Sequence, residues 1–347
     1  VSIAAPDKKF CGESKKMTSN LDRRMFMAGL SATFAIRRET AHAMTRREPR
    51  ALSGVFPIGF TPTTPADAID FDGLASQVEF CKRGGVHGIA WPQIASGWTT
   101  LTEYDRLKGA EIMVDVAKGS STAVVIGVQS RDKDLAETTR YARHAEKIGA
   151  HALICIVQEG MPPDAQLEFF KQLGNTTTLP LFAQTIGDLT VDRLVALAEA
   201  VPSLQYVKDE AGDPLKRVAE INRRTSGRLK CFSGRGVSTM ITELERGFVG
   251  HCPFTSLADL YATAFDLYRS GKRREAFDQF GRIQAASSMF AQSSVNVLIA
   301  RGVLKPGTRI RLAPEVATSL NAIHAPLSTP DEIKRALDTY LAPYLRA

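Results

Sequence analysis

The chain has 347 residues, 44% hydrophobic and 23% charged, which suits one barrel-sized domain with extensions or two average domains and excludes a chain too polar to fold. Its net charge of +7 is concentrated: residues 1–50 hold eleven Lys/Arg against five Asp/Glu, so the rest of the chain is nearly neutral, which argues against a nucleic-acid-binding face. The five cysteines are scattered, with no C-x-x-C pair, which argues against a disulfide framework or a zinc site.

Residues 1–50 read either as a targeting segment or as a disordered basic tail. Met17 is a candidate translation start. Asp22-Arg23-Arg24-Met25-Phe26-Met27 leads into an apolar run over 25–36 and then a small-x-small site, Ala41-His42-Ala43. Charge, a short apolar run and a small-residue site are the three parts of an export signal. The Arg-Arg-x-Phe core resembles a twin-arginine signal and implies a periplasmic or exported protein, with a cytoplasmic one as the alternative. Asp22 stands where such signals usually carry Ser or Thr, and Arg37-Arg38-Glu39 intervene before the small site. The apolar run is too short to cross a bilayer, so no membrane span is expected.

From residue 52 short apolar runs alternate with helical stretches. Strands are expected at 54–60, 86–91, 123–128, 152–157, 179–184, 204–208, 229–233 and 248–252. Helices are expected near 71–84, 103–118, 133–148, 164–174, 190–200, 213–225 and 237–246, each long enough to return the chain for a parallel strand. In 133–148, Leu135, Thr138, Tyr141, Ala142 and Ala145 recur at helical steps; Thr102 and the stretch Asp188-Leu189-Thr190 are candidate N-caps. Eight such units predict an α/β fold of the (β/α)8 barrel type, and neither Gly-x-Gly-x-x-Gly nor a P-loop pattern is present. Beyond the eighth strand, 256–270, 272–289, 291–303 and 330–345 look helical, with a Pro-rich polar link over 304–328. The expected organisation is a signal or tail at 1–50, a barrel at 51–271 and a C-terminal helical region at 272–347.

Lys208 ends an apolar strand and is expected to point into the C-terminal mouth of the barrel, where active sites of this fold lie. Position alone also fits an ordinary solvated lysine. Several ordered stretches carry a resemblance: Gly54-Val55-Phe56-Pro57 through Thr61-Pro62, then Gly84-Gly85-Val86-His87-Gly88-Ile89 and Leu179-Pro180. They continue with Tyr206-Val207-Lys208-Asp209-Glu210, Ser233-Gly234-Arg235, and Arg269-Ser270-Gly271-Lys272. In this order and spacing, residues 52–345 resemble the dihydrodipicolinate synthase / N-acetylneuraminate lyase family. The resemblance implies that Lys208 forms a Schiff base with a 2-oxo acid, the protonated imine acting as electron sink. It implies no cofactor, a small-molecule partner, and a homotetramer or dimer.

The chain departs from the family at the site. The tyrosine that shuttles protons at the end of strand five falls on Gln184, which has no useful acid or base form. Strand four is followed by no tyrosine. The Gly-Thr-Thr-Gly-Glu loop that binds the substrate carboxylate reads Gln93-Ile94-Ala95-Ser96-Gly97-Trp98, so its threonines align with Ile94 and Ala95 or with Ala95 and Ser96. Candidate replacements for the acid/base are Glu159 and Glu210, each otherwise an ordinary loop carboxylate. Arg235 is a candidate carboxylate holder or the partner in a surface salt bridge. Trp91 and Trp98 flank the altered loop and are read as the wall of a pocket for a larger, more apolar substrate, or as packing at a subunit contact. His87, His151 and His251 lack metal-ligand spacing and are read as structural.

The leading functional reading is a lyase, either an aldolase or a dehydratase/hydratase, acting on a 2-oxo acid such as pyruvate, a deoxy-sugar acid or an aryl-substituted pyruvate. True dihydrodipicolinate synthase activity is not expected. The alternative is a catalytically weak or inactive barrel that binds a small carboxylate.

Overall fold

Short apolar runs become parallel strands where a helix returns the chain. Eight do so in the computed structural model, which describes residues 51–157, 160–187, 189–235, 237–289, 294–313 and 328–346. The twin-arginine-like segment and Glu159 lie outside the described residues. The strands are β1 (Gly54–Val55), β2 (Gly88–Trp91), β3 (Ala123–Gly127), β4 (Ala152–Ile156), β5 (Leu181–Thr185), β6 (Leu204–Asp209), β7 (Lys230–Ser233) and β8 (Gly250–His251). They pair in the order β1-β8-β7-β6-β5-β4-β3-β2, all parallel. The cylinder closes through Ile58, which bridges both Ala90 and Phe254. The expected (β/α)8 barrel is the observed architecture.

Seven helices alternate with the strands: α1 (Phe71–Arg83), α2 (Glu103–Ala117), α3 (Leu135–Ile148), α4 (Pro163–Gly174), α5 (Val191–Ala200), α6 (Pro214–Arg224) and α7 (Met240–Glu245). Their starts follow capping chemistry. Thr102 accepts from Asp105 N and Asp105 returns a bond to Thr102 N; Asp134 accepts from Ala136 N, and Thr190 from Arg193 N. On α3, Thr138, Tyr141, Ala142 and Ala145 are buried, the face read from the sequence.

The first and last strands are shorter than their apolar runs. Pro57 and Pro253 carry no N–H, so the ladder is interrupted there. Pairing resumes only through single bonds such as Ile58 N to Pro253 O at 2.8 Å. A second ladder is unannounced by the sequence: Arg309–Ile310, in the expected link, pairs antiparallel with Pro62–Thr63.

α8 (Ala258–Arg269) closes the eighth unit, and α9 (Arg273–Met289), α10 (Ser294–Ala300) and α11 (Pro330–Tyr340) follow. Leu52–Ala347 form one compact unit. Arg301, just after α10, grips Asp259 of α8 with two bonds of 2.7 Å, both side chains buried. This geometry ties the C-terminal helices to the barrel's last helix.

Two apolar layers hold the barrel. The outer one lies between strands and helices; the inner one fills the cylinder with Phe56, Ile58, Val125, Ile154, Phe182 and Phe232 among others. Phe182 stacks on Tyr206 at 4.5 Å and meets Phe232 edge-on at 5.1 Å. Gly250 makes room for this plug, since a β-carbon there would overlap the Phe232 ring. Leu52 N caps the bottom by donating to Tyr206 Oη at 2.9 Å. A cavity opens at the C-terminal mouth, above this plug.

Candidate active site

A one-residue bulge aims the site. β5 and β6 pair Leu181 with Leu204 but Phe182 with Tyr206, so Gln205 is extra. Side chains alternate faces along a strand, and an inserted residue resets that alternation. Leu204 packs outward into the outer layer, yet Tyr206 points inward, and Lys208 and Glu210 follow it. Were Leu204, Gln205 and Tyr206 to alternate regularly, without the bulge, Lys208 would face the helices.

Register then sets Lys208 beside Gln184 on β5. The Lys208 side chain is only 5% exposed, with Nζ 3.0 Å from Glu210 Oε1. The other carboxylate oxygen of Glu210 accepts from Gln184 Nε2 at 2.5 Å. Gln184 Oε1 is buried without a hydrogen-bond partner among the described residues. Glu210 thus bridges the amine and the amide at the floor of a cavity of about 600 Å³. Its neighbour Gly234 has no side chain for a reason, because a β-carbon would overlap Glu210 Cγ.

The strand end is braced from behind. Asp209 points outward, fully buried, accepting from Thr185 Oγ1 at 2.6 Å and from Arg217 Nε at 3.0 Å. Thr185 Oγ1 also accepts from Glu210 N at 3.0 Å, which fixes the backbone carrying the carboxylate.

The loop after β2 is held through its polar groups. Ser96 Oγ donates to Gly59 O at 2.6 Å and accepts from Gln93 N at 3.0 Å. Its carbonyl accepts from Thr61 Oγ1 at 2.7 Å, and that hydroxyl accepts from Trp91 Nε1 at 2.9 Å. Ile94 and Ala95 are therefore the residues of this loop that line the cavity.

Of the residues singled out in the sequence, Lys208, Ala95 and Arg235 line the cavity, and Gln184 stands beside its floor. Arg235 Nη1 also donates to Gly212 O. Ser96 and Trp98 are not brought to the cavity: the Ser96 hydroxyl is engaged by the loop itself, and Trp98 packs near the buried Arg106 guanidinium at 5.9 Å. Trp91 is buried and bonded to Thr61, so neither tryptophan forms the apolar wall. Phe60 and Phe254 take that place, and Glu210 is the carboxylate delivered to the lysine. The period-2 step from Lys208 to Glu210 was a usable signal for the second; no local pattern marks Phe254.

The histidines serve the frame. His87 Nδ1 accepts from Val55 N and Nε2 faces Asp266 at 2.9 Å; His151 Nδ1 accepts from Val124 N. His251 lies behind β8, with Nε2 2.8 Å from Glu243 Oε2, close enough for an ion pair but without the alignment of a hydrogen bond.

The profile of the Dihydrodipicolinate synthetase family matches residues 51–304. The chain belongs to that family. The 4-hydroxy-tetrahydrodipicolinate synthase of Rhizobium meliloti (strain 1021) is 29% identical over 174 residues, which is 48% of this chain and 58% of the relative. The match thus spans less than two thirds of that relative's length. Among solved structures, the 4-hydroxy-tetrahydrodipicolinate synthase from Methylacidiphilum fumariolicum SolV superposes with a TM-score of 0.69 at 18% identity, covering 85% of this chain and all of the other. YagE, a prophage protein of E. coli K12 solved in complex with pyruvate, gives 0.67 at 18% identity over 83% and 98% of the two chains. The low identities mark the chain as a divergent Dihydrodipicolinate synthetase family member, and its own mouth presents Ile94 and Ala95, with Gln184 bonded to Glu210.

Cys252, at the end of β8, lines the same cavity. Burial pushes its thiol up to about 12, with Glu210 adding to the rise and Lys208 opposing it. The thiolate is the reactive form. Iodoacetamide at pH 8 is expected to leave Cys252 unmodified in the folded protein and to label it after denaturation, as read by peptide mass mapping.

Proposed function

We propose that the chain is a Schiff-base lyase of the class I type acting on a 2-oxo acid. One observation carries the reading: a lysine amine enclosed in a barrel cavity, in contact with the Glu210 carboxylate. The amine adds to the substrate ketone and the resulting carbinolamine loses water, leaving a protonated imine. In an aldolase, deprotonation of the hydroxyl on the β carbon releases that carbon as an aldehyde and sends the electron pair of the α–β carbon–carbon bond into the imine, giving an enamine. In a dehydratase, loss of the α-proton gives the enamine, whose electrons then expel the β-hydroxyl as water and leave a conjugated imine. Protonation of the aldolase's enamine, and hydrolysis of the imine in either case, return the amine.

Each of these steps moves a proton, and Glu210 is the group placed to carry it. Its carboxylate contacts the amine directly, and Gln184, which cannot titrate, holds the other oxygen. Arg235, the cation other than Lys208 among the described lining residues, offers a guanidinium to the substrate carboxylate. The chemistry needs no cofactor.

Borohydride added with pyruvate is expected to leave a reduced adduct on Lys208, identified by peptide mass spectrometry, and Lys208→Ala is expected to gain none. Stabilisation by 2-oxo acids without any adduct would instead favour a carboxylate-binding barrel that does no chemistry.

A further inference from the structure

We infer that the substrate's distal part is an apolar ring and not a polyhydroxylated chain. The inference rests on the Schiff-base reading, which fixes the substrate's carbonyl carbon at Lys208 Nζ.

The mouth has two unlike arcs. β5 and β6 supply Gln184, Lys208 and Glu210. β8, β1 and β2 are consecutive in the cylinder and lie on the other side of it. Among the described residues, that side's lining includes six residues without a strong polar group: Ile58 and Phe60 after β1, Ile94 and Ala95 after β2, and Cys252 and Phe254 after β8. None of the six offers a strong hydrogen-bonding group, since a thiol is a weak donor and acceptor. The nearest hydroxyl in the β2 loop, that of Ser96, is engaged with Gly59 O. The remaining polar lining comes from Arg235 and Ser238 after β7, from Ser256 beyond Phe254, and from helices, as with Tyr261, Gln284 and Ser287.

A deoxy-sugar acid carries hydroxyls on the carbons beyond the methylene next to its ketone, and burying them against these six residues would leave them unpaired. A ring meets no such penalty. Phe60 and Phe254 stack with centroids 5.2 Å apart and planes at 29°. Phe254 remains 37% exposed within the cavity wall, so aromatic surface is open to a further ring. A cavity of about 600 Å³ is also far larger than a three-carbon acid fills.

The test is reductive trapping on the full chain, with the concentration that half-saturates Lys208 labelling measured for pyruvate, 4-phenyl-2-oxobutanoate and a 2-oxo-3-deoxyhexonate. The phenyl compound is expected to half-saturate at a concentration at least about tenfold below that for pyruvate, equivalent to ~1.4 kcal/mol, with the sugar acid no better than pyruvate. Phe254→Ser and Ile94→Asn, on separate loops, are each expected to shrink the phenyl-to-pyruvate ratio several-fold. Equal values for all three compounds, or preference for the sugar acid, would overturn the inference while leaving the Schiff base standing. Labelling by none of them removes the Schiff-base reading and this inference with it.

Discussion

Replacing Glu210 by glutamine is expected to lower kcat on any 2-oxo acid the protein turns over by roughly 10²- to 10⁴-fold, the usual contribution of a positioned proton-transfer group. Glutamine keeps the shape and the contact with Lys208 but has no titratable proton. Borohydride should still fix the keto acid to Lys208 in the variant at long incubation, because the electrophile survives. That split separates a proton carrier from a residue that merely holds the lysine in place, whose loss would reduce trapping and turnover together. Gly234→Ala approaches the same question from outside the carboxylate. The added methyl overlaps Glu210 Cγ, so the side chain must leave its bridge between Lys208 and Gln184. A fall in kcat with unchanged thermal stability is expected there too. A Glu210→Gln protein that turns over at the wild-type rate would assign proton transfer to another group, and Glu159 would be the next carboxylate to replace.

The barrel was legible because a fully buried parallel strand needs no polar face. Runs such as Ala152–Ile156 and Ala123–Gly127 are apolar throughout, with every residue buried, and stand out between helical stretches. Lys208 was legible for the converse reason, as a charge ending such a run. What the sequence concealed is long-range. The bulge at Gln205 depends on how β6 pairs with Leu181 and Phe182 of β5, and nothing within β6 declares it. The serine of the β2 loop invites a binding role until the carbonyl of Gly59, 37 residues away in the chain, accepts its hydrogen bond. Phe254 joins the cavity because β8 and β1 are neighbours in a closed cylinder, although they lie at opposite ends of the barrel sequence. The tryptophans drew attention by rarity, yet one is bonded to Thr61 and the other packs on Arg106.

Arg217→Met is expected to cost about 3–5 kcal/mol of folding stability, the range for removing one partner of a buried ion pair, and to lower Tm by roughly 5–8 °C. Asp209 is fully buried, and Arg217 is 12% exposed at its side chain. Without the guanidinium the carboxylate keeps, among the described side chains, the Thr185 hydroxyl, and Leu189 O loses the donor it has in Arg217 Nη1. Methionine fills the space with apolar volume, so the loss reports the stranded charge more than a void. The pair matters to the site because Asp209 lies between Lys208 and Glu210 and faces the opposite side of the strand. Anchoring Asp209 to α6 keeps both neighbours turned into the cavity. Urea unfolding monitored by circular dichroism measures the loss, and Asp209→Asn added to Arg217→Met should restore a large part of it by removing the charge left without its partner. If the double variant is less stable than Arg217→Met alone, Asp209 stabilises the strand through Thr185 and not through the ion pair, and the brace behind Lys208 consists of hydrogen bonds only.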